Sequence, residues 1–164
     1  MSELLAGGEL RLIGTLVVAA ILGAGLGAER ELAEKPAGLR THILVAVAAA
    51  LIVGLGDTLV DRFGADRFGE LVRADPIRLM EAVVTGVSFL GAGTILRRDG
   101  GGIEGLTTAA SLLLTAAIGS CVALSLWVLA VGATLLGVTV LRLIRRFEER
   151  VLAKRDRVAS EGST

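Results

Sequence analysis

Three charged segments interrupt an otherwise apolar chain, and the oxygen atoms they carry are of the kind that hard cations bind. Residues 27–42, GAERELAEKPAGLRTH, hold Glu29, Arg30, Glu31, Glu34, Lys35, Arg40 and Thr41. Residues 73–93, RADPIRLMEAVVTGVSFLGAG, supply Asp75, Arg78 and Glu81, and residues 96–110, LRRDGGGIEGLTTAA, supply Thr107 and Thr108. Magnesium sheds water reluctantly and takes one or two carboxylates with hydroxyls, carbonyls and retained waters. Glu29, Asp75, Glu81, Thr107 and Thr108 are the oxygens on offer, with Asp75 and Glu81 the metal candidates. Arg30, Arg40 and Arg78 stand close to them, which opposes a simple cation site and suits an anionic or zwitterionic solute.

Each segment also has a purely structural reading. Arg30 with Glu34, and Glu31 with Lys35, are i,i+4 pairs on a helical extension of the preceding apolar run. The functional alternative is that Glu29 and Arg40 line the inner mouth of a cavity between helices, as ionisable groups in membranes commonly do. Asp75-Pro76 is a helix start, Asp capping and Pro in the first turn. That explains Asp75 but leaves Glu81, which must pair with Arg78 or Arg73 or bind a cation. The third segment reads as a glycine-rich loop with Thr107 or Thr108 at the helix cap. Its Gly-Gly-Gly lacks the Gly-Lys-Ser/Thr ending of a phosphate loop. His42 is the single histidine, so it reads as a satisfied interfacial group, and zinc is not expected. Cys121 reads as a small packing residue. No nucleophile with a partnered base is recognisable, so the chain is not expected to be an enzyme, and no resident cofactor is expected; Mg2+ enters as substrate or ligand.

The elements that must position these residues are membrane spans. Hydrophobic residues make up 53% of the chain, mean hydropathy is +0.72, and charges fall between long uncharged runs. Apolar stretches near 20 residues are solvated by a bilayer. Residues 10–28, 42–58, 78–97, 103–118 and 122–141 form five predicted spans in a compact all-α bundle. Uncharged residues from Thr107 to Leu141 are too long for one crossing, and Gly119-Ser120 is the expected break. Glu3 and Glu9 stand where a secretory signal would carry basic residues, so the first run is expected to be a permanent span.

Residues 142–164 form a charged tail with Arg142, Arg145, Arg146, Arg150, Lys154, Arg155 and Arg157. The positive-inside rule puts this tail in the cytoplasm and the amino terminus outside. Glu29 then lies at the inner face, Asp75 and Glu81 at the outer, so they mark opposite mouths and not one site. Gly23 and Gly27, then Ala46, Ala50 and Gly54, then Ser88 and Ala92, repeat small residues at intervals that let helices approach, and Gly86, Gly91 and Gly93 of the third span are expected to pack helices too. Such faces suggest a homodimer as well as contact with lipid and with another membrane protein. Equal numbers of acidic and basic residues, 17 of each, remove any whole-chain argument for nucleic acid.

Taken together, GAERE followed by AGLRTH, DPIR leading into SFLGAGTIL, and IEGLTTAASLLLTAAIG resemble, in order and spacing, the membrane domain of the MgtC/SapB family over roughly residues 10–140. The resemblance implies a multi-pass protein of the bacterial inner membrane, linked to growth at low magnesium and, in some members, to survival inside host cells. Similar proteins have been called magnesium transporters, while others act as regulators of membrane machinery, including the ATP synthase. Its motif positions here are Glu29, Arg30, Gly38, Leu39, Arg40 and Thr41; Asp75 and Arg78; Gly86, Phe89, Leu90, Gly91, Ala92 and Gly93; and Gly105, Leu106, Thr107, Thr108 and Ala109. Many relatives have a glutamine early in the third span where this chain has Ala82 beside Glu81. Longer relatives add a soluble carboxyl-terminal domain, where this chain reads as a charged tail.

Overall fold

A computed structural model describes the backbone of residues 2–63, 75–97 and 102–161, and the side-chain surroundings of 8–56, 58, 59, 75, 77–96 and 102–147. In chain order the elements are α1 (Ser2–Leu32), α2 (Leu39–Phe63), α3 (Pro76–Thr94), β1 (Leu96–Arg97), β2 (Ile103–Glu104), α4 (Leu106–Ala123) and α5 (Trp127–Glu161). All five helices contain a stretch long and apolar enough to cross a membrane: Gly8–Leu32, Leu39–Gly56, Ile77–Thr94, Leu106–Ala123 and Trp127–Phe147. Helices are what such sequences must form, because lipid offers no partner to an unsatisfied peptide group. The two strands pair only Leu96 with Glu104 and Arg97 with Ile103. They close a tight connection between α3 and α4 within an all-α architecture.

Two helix ends share a device that the glycine pattern does not reveal. At the end of α1 the Lys35 amide donates to Arg30 O at 3.1 Å and the Glu34 amide to Glu31 O at 3.0 Å, with Glu34 at φ 53°. At the end of α4 the Leu126 amide donates to Cys121 O at 2.9 Å and the Ser125 amide to Val122 O at 3.0 Å, with Ser125 at φ 60°. Both are Schellman closures whose left-handed seat, usually glycine, holds Glu34 or Ser125. The α4–α5 turn therefore lies at residues 124–126, and the break expected at Gly119-Ser120 is wrong. Gly119 sits inside α4 against the backbone of α2, where a Cβ would collide with Ala46 O and come within 3.0 Å of its carbonyl carbon. Ser120 stays helical by donating to Ala116 O at 3.0 Å. Here glycine serves contact and not chain reversal.

The third and fourth spans also end differently from expectation. α3 stops at Thr94, and α4 starts after Gly105, which is its N-cap at φ 93° without a side-chain bond. Neither Thr107 nor Thr108 caps the helix. The Asp75 side chain does cap α3, accepting from the Ile77 amide at 3.0 Å. Asp75→Ala should cost about 1 kcal/mol, read as faster hydrogen exchange at the first amides of α3 with the rest of the bundle unchanged. Loss of protection throughout the bundle would contradict a purely local cap.

α4 is the central staff, packed against α1, α2, α3 and α5, while α1 and α2 make the most extensive pair. Ala46, Ala50, Ile118, Val122 and Ala130 are buried together with Leu26, and Val45, Ala49, Val53, Val83, Val87 and Leu112 form a second cluster. Small residues dominate because backbones must come close for dispersion to hold helices together in lipid. A Cβ on Gly23 would meet Ala46 Cβ and His42 O at 2.8 Å, and one on Gly27 would meet Leu39 Cα at 2.8 Å. Gly91 lies against Ala109 in the same manner. Gly86 and Gly93, expected to pack helices, have no neighbouring atom within 4 Å of an added Cβ.

Candidate functional site

The polar residues that the fold buries converge at one end of the bundle, where α1 finishes and α2 and α4 begin. α1 delivers Glu29 and Arg30, 3% and 5% exposed, from its last turn, and α2 delivers His42, fully buried, from its first. α4 adds a polar stripe, Thr108, Ser111 and Thr115, each buried. These three recur every three or four residues, so they share the face turned towards α1 and α2.

Arg30 Nη2 donates to Thr108 Oγ1 at 2.8 Å, joining α1 to α4 across 78 residues of sequence. Its Nε is buried with no acceptor among the described residues. Glu29 Oε1 lies 4.0 Å from Arg145 Nη1 of α5, while the guanidinium of its sequence neighbour Arg30 is turned to Thr108. On α2, His42 Nδ1 is 2.9 Å from Gly38 O and Nε2 is 3.1 Å from Ser111 Oγ. A carbonyl can only accept, so Nδ1 carries hydrogen. In the neutral ring Nε2 then accepts from the Ser111 hydroxyl, which also has Thr108 O within reach at 2.8 Å. The Thr115 hydroxyl donates to Ser111 O at 2.8 Å and so keeps its polarity inside α4. Just outside this cluster, Glu31 accepts from the Leu39 amide at 3.0 Å, a negative charge at the start of α2 where the helix dipole favours it.

This geometry sorts the expected site residues. Glu29, Arg30 and Thr108 come together. Arg40 does not join them: it is exposed, two residues and about 200° round α2 from His42, and Thr41 is only half-buried. Thr107 is exposed beside buried Thr108. The i,i+4 pairing of Arg30 with Glu34 and Glu31 with Lys35 is also overturned, because α1 ends at Leu32 and the chain turns left-handed at Glu34. Asp75, Arg78 and Glu81 lie at the far end of the bundle, where Leu79 meets Gly56 near the end of the second span. Asp75 is committed to capping and to a loose 3.9 Å pair with Arg78. Glu81 is exposed and makes no ion pair or hydrogen bond among the described residues. Arg73, its other expected partner, and the arginines Arg62, Arg67 and Arg98 lie outside those whose surroundings are described. No group of three or more His, Cys, Asp or Glu among the described residues could hold a metal ion. His42, Ser111 and Arg145 are members that sequence reasoning did not place; the 108-111-115 hydroxyl stripe was the available signal for the first two.

Against known proteins, the family model described as MgtC family matches residues 16–150. The chain belongs to the MgtC family. Among its relatives, "Putative magnesium transporter YhiD" of Escherichia coli (strain K12) is 38% identical over 141 residues, which is 85% of this chain and 63% of that protein. "Protein MgtC" of Salmonella typhimurium (strain LT2) is 35% identical over 136 residues, 83% of this chain and 53% of that protein. "Protein SapB" of Bacillus subtilis (strain 168) is 40% identical over 106 residues, 63% of this chain and 44% of that protein. The chain thus spans between about two-fifths and three-fifths of the length of these MgtC-family relatives. No solved structure matches it. Every member of the buried cluster, from Glu29 to Arg145, lies inside the matched region.

Proposed function

We propose that this MgtC-family domain serves magnesium homeostasis in a bacterial inner membrane as a regulator that docks on other membrane proteins, and is not itself a conduit for Mg2+. The observation that carries this reading is the state of Glu29. It is the one buried carboxylate among the described residues, with Arg145 at 4.0 Å and the buried Arg30 next to it in sequence. Arginines this close to the carboxylate repel a divalent ion and compete with it for the same oxygens. Of the other oxygens favoured by the sequence, Thr108 is engaged by Arg30, Thr107 is exposed, and Asp75 and Glu81 sit at the opposite end of the bundle. The arginine-rich end of α5 faces the cytoplasm in this reading, with the amino terminus outside, and no catalysis or resident cofactor is invoked. Docking partners would be helices of another membrane complex, of which the ATP synthase is the example that the resemblance offers.

A second reading, transport of an ion or small solute, draws on the presence of a buried charged pair at one mouth of the bundle. Purified protein in liposomes that enclose a magnesium-sensitive dye separates the two. Uptake indistinguishable from protein-free vesicles across an imposed gradient is the expected result. Saturable uptake that Glu29→Gln or Glu81→Gln abolishes would reject the regulator reading in favour of transport.

A further inference from the structure

The face of α3 turned away from the bundle carries residues that neither the fold nor the buried cluster uses. Val83, Val87 and Gly91 turn inward. On the opposite side lie Arg78, Glu81, Thr85, Gly86, Phe89 and Gly93, all exposed. Phe89 is 81% exposed, and Gly86 and Gly93 have open space where a side chain would stand. Two of these positions, Phe89 and Gly93, belong to the SFLGAG segment that the sequence singles out, yet neither has a task within the chain. Charge makes the face more than a small-residue stripe. Glu81 lies in the spanning stretch Ile77–Thr94 with no ionic or hydrogen-bonding partner among the described residues, and a carboxylate facing lipid is costly. Arg78, one turn earlier, is 84% exposed and held only by the 3.9 Å contact with Asp75.

We propose that this face of α3 is the contact between two copies of the chain, related by a two-fold axis along the membrane normal, with Arg78 of each copy paired to Glu81 of the other. The two-fold makes the surface self-complementary. In parallel helices about one axis, residue 78 of one copy lies a single turn from residue 81 of its mate, and the pairing occurs twice. Opposite charges are thereby joined where each alone is poorly solvated, and Gly86 and Gly93 let the backbones close in while Phe89 fills the remaining width. A dissimilar helix from another protein would need its own matching acid and base at this depth; a second copy brings them automatically. The inference is independent of whether the domain regulates or transports.

The test uses full-length protein in lipid vesicles at defined protein-to-lipid ratio, with association read by single-molecule photobleaching and by disulfide cross-linking in a Cys121→Ala background. Phe89→Cys should cross-link, and Val128→Cys on the outer side of α5 should not. Arg78→Glu alone and Glu81→Arg alone should each weaken association by about tenfold or more, and the double exchange should restore it to within about threefold. Gly86→Ala should weaken association while thermal stability of the monomer does not fall, because the added Cβ has no atom of the chain within 4 Å. Cross-linking at Val128 instead of Phe89, failure of the charge exchange to restore pairing, or a monomer at every ratio would overturn the assignment.

Discussion

Gly119→Ala is expected to be among the most damaging single-methyl additions the chain can receive, lowering stability by about 3 kcal/mol, the upper part of the usual overpacking range. The added carbon would collide with Ala46 O and lie 3.0 and 3.1 Å from the carbonyl carbon and Cα of Ala46. All three are backbone atoms of α2, so no rotamer change relieves the contact, and α2 and α4 must separate. That separation loosens the packing that buries Ala46, Ala50, Ile118 and Val122. Gly137→Ala provides the comparison: its new atom meets only the tips of Leu114 and Leu26, at 2.7 and 2.9 Å, which can swing aside. The cost there should stay below about 1.5 kcal/mol. Thermal or denaturant unfolding of purified protein in one detergent checks the order. Equal losses for the two variants would show that the α2–α4 approach is not the tight point.

The second large effect is expected at Arg30. Arg30→Met deletes the donor to Thr108 and leaves Glu29, 3% exposed, with only the 4.0 Å contact to Arg145. Removing one partner of a buried charge pair typically costs about 3–5 kcal/mol, because the remaining charge is stranded. The double variant Glu29→Gln/Arg30→Met removes both charges and should recover more than half of that loss. If the double variant is as unstable as Arg30→Met, then Arg30 matters through its bond to Thr108 and its bulk, and charge balance is not the cause. Both outcomes are read from the same unfolding experiment.

Much of this arrangement was legible in the residues themselves. Uncharged runs near the thickness of a bilayer announce five helices, since nothing else satisfies the backbone there. The separation of Glu29 from Asp75 and Glu81 followed from the alternation of spans, and the structure places them at opposite ends. The turn between α4 and α5 was missed for a definite reason: glycine is the usual left-handed residue, yet Ser125 takes that seat and Gly119 is needed where two backbones touch. Arg40 was misassigned because facing is a matter of phase. In an apolar helix surrounded by lipid, hydrophobic periodicity no longer marks the inner side. Only the hydroxyls of Thr108, Ser111 and Thr115 betray which side of α4 looks inward, and that signal was not used to place His42. Gly86 and Gly93 resembled the packing glycines in sequence, but spacing alone does not say which neighbour a small face awaits.

The length of α5 has a mechanical implication. From Trp127 to Glu161 it is one uninterrupted helix of 35 residues, about 52 Å. Arg145 sits along that rod near the emergence from oil, touching Glu29. Because a helix is stiff along its axis, any displacement of α5 at Arg145 changes the approach of its guanidinium to Glu29, so the position of α5 and the charge at the end of α1 are coupled.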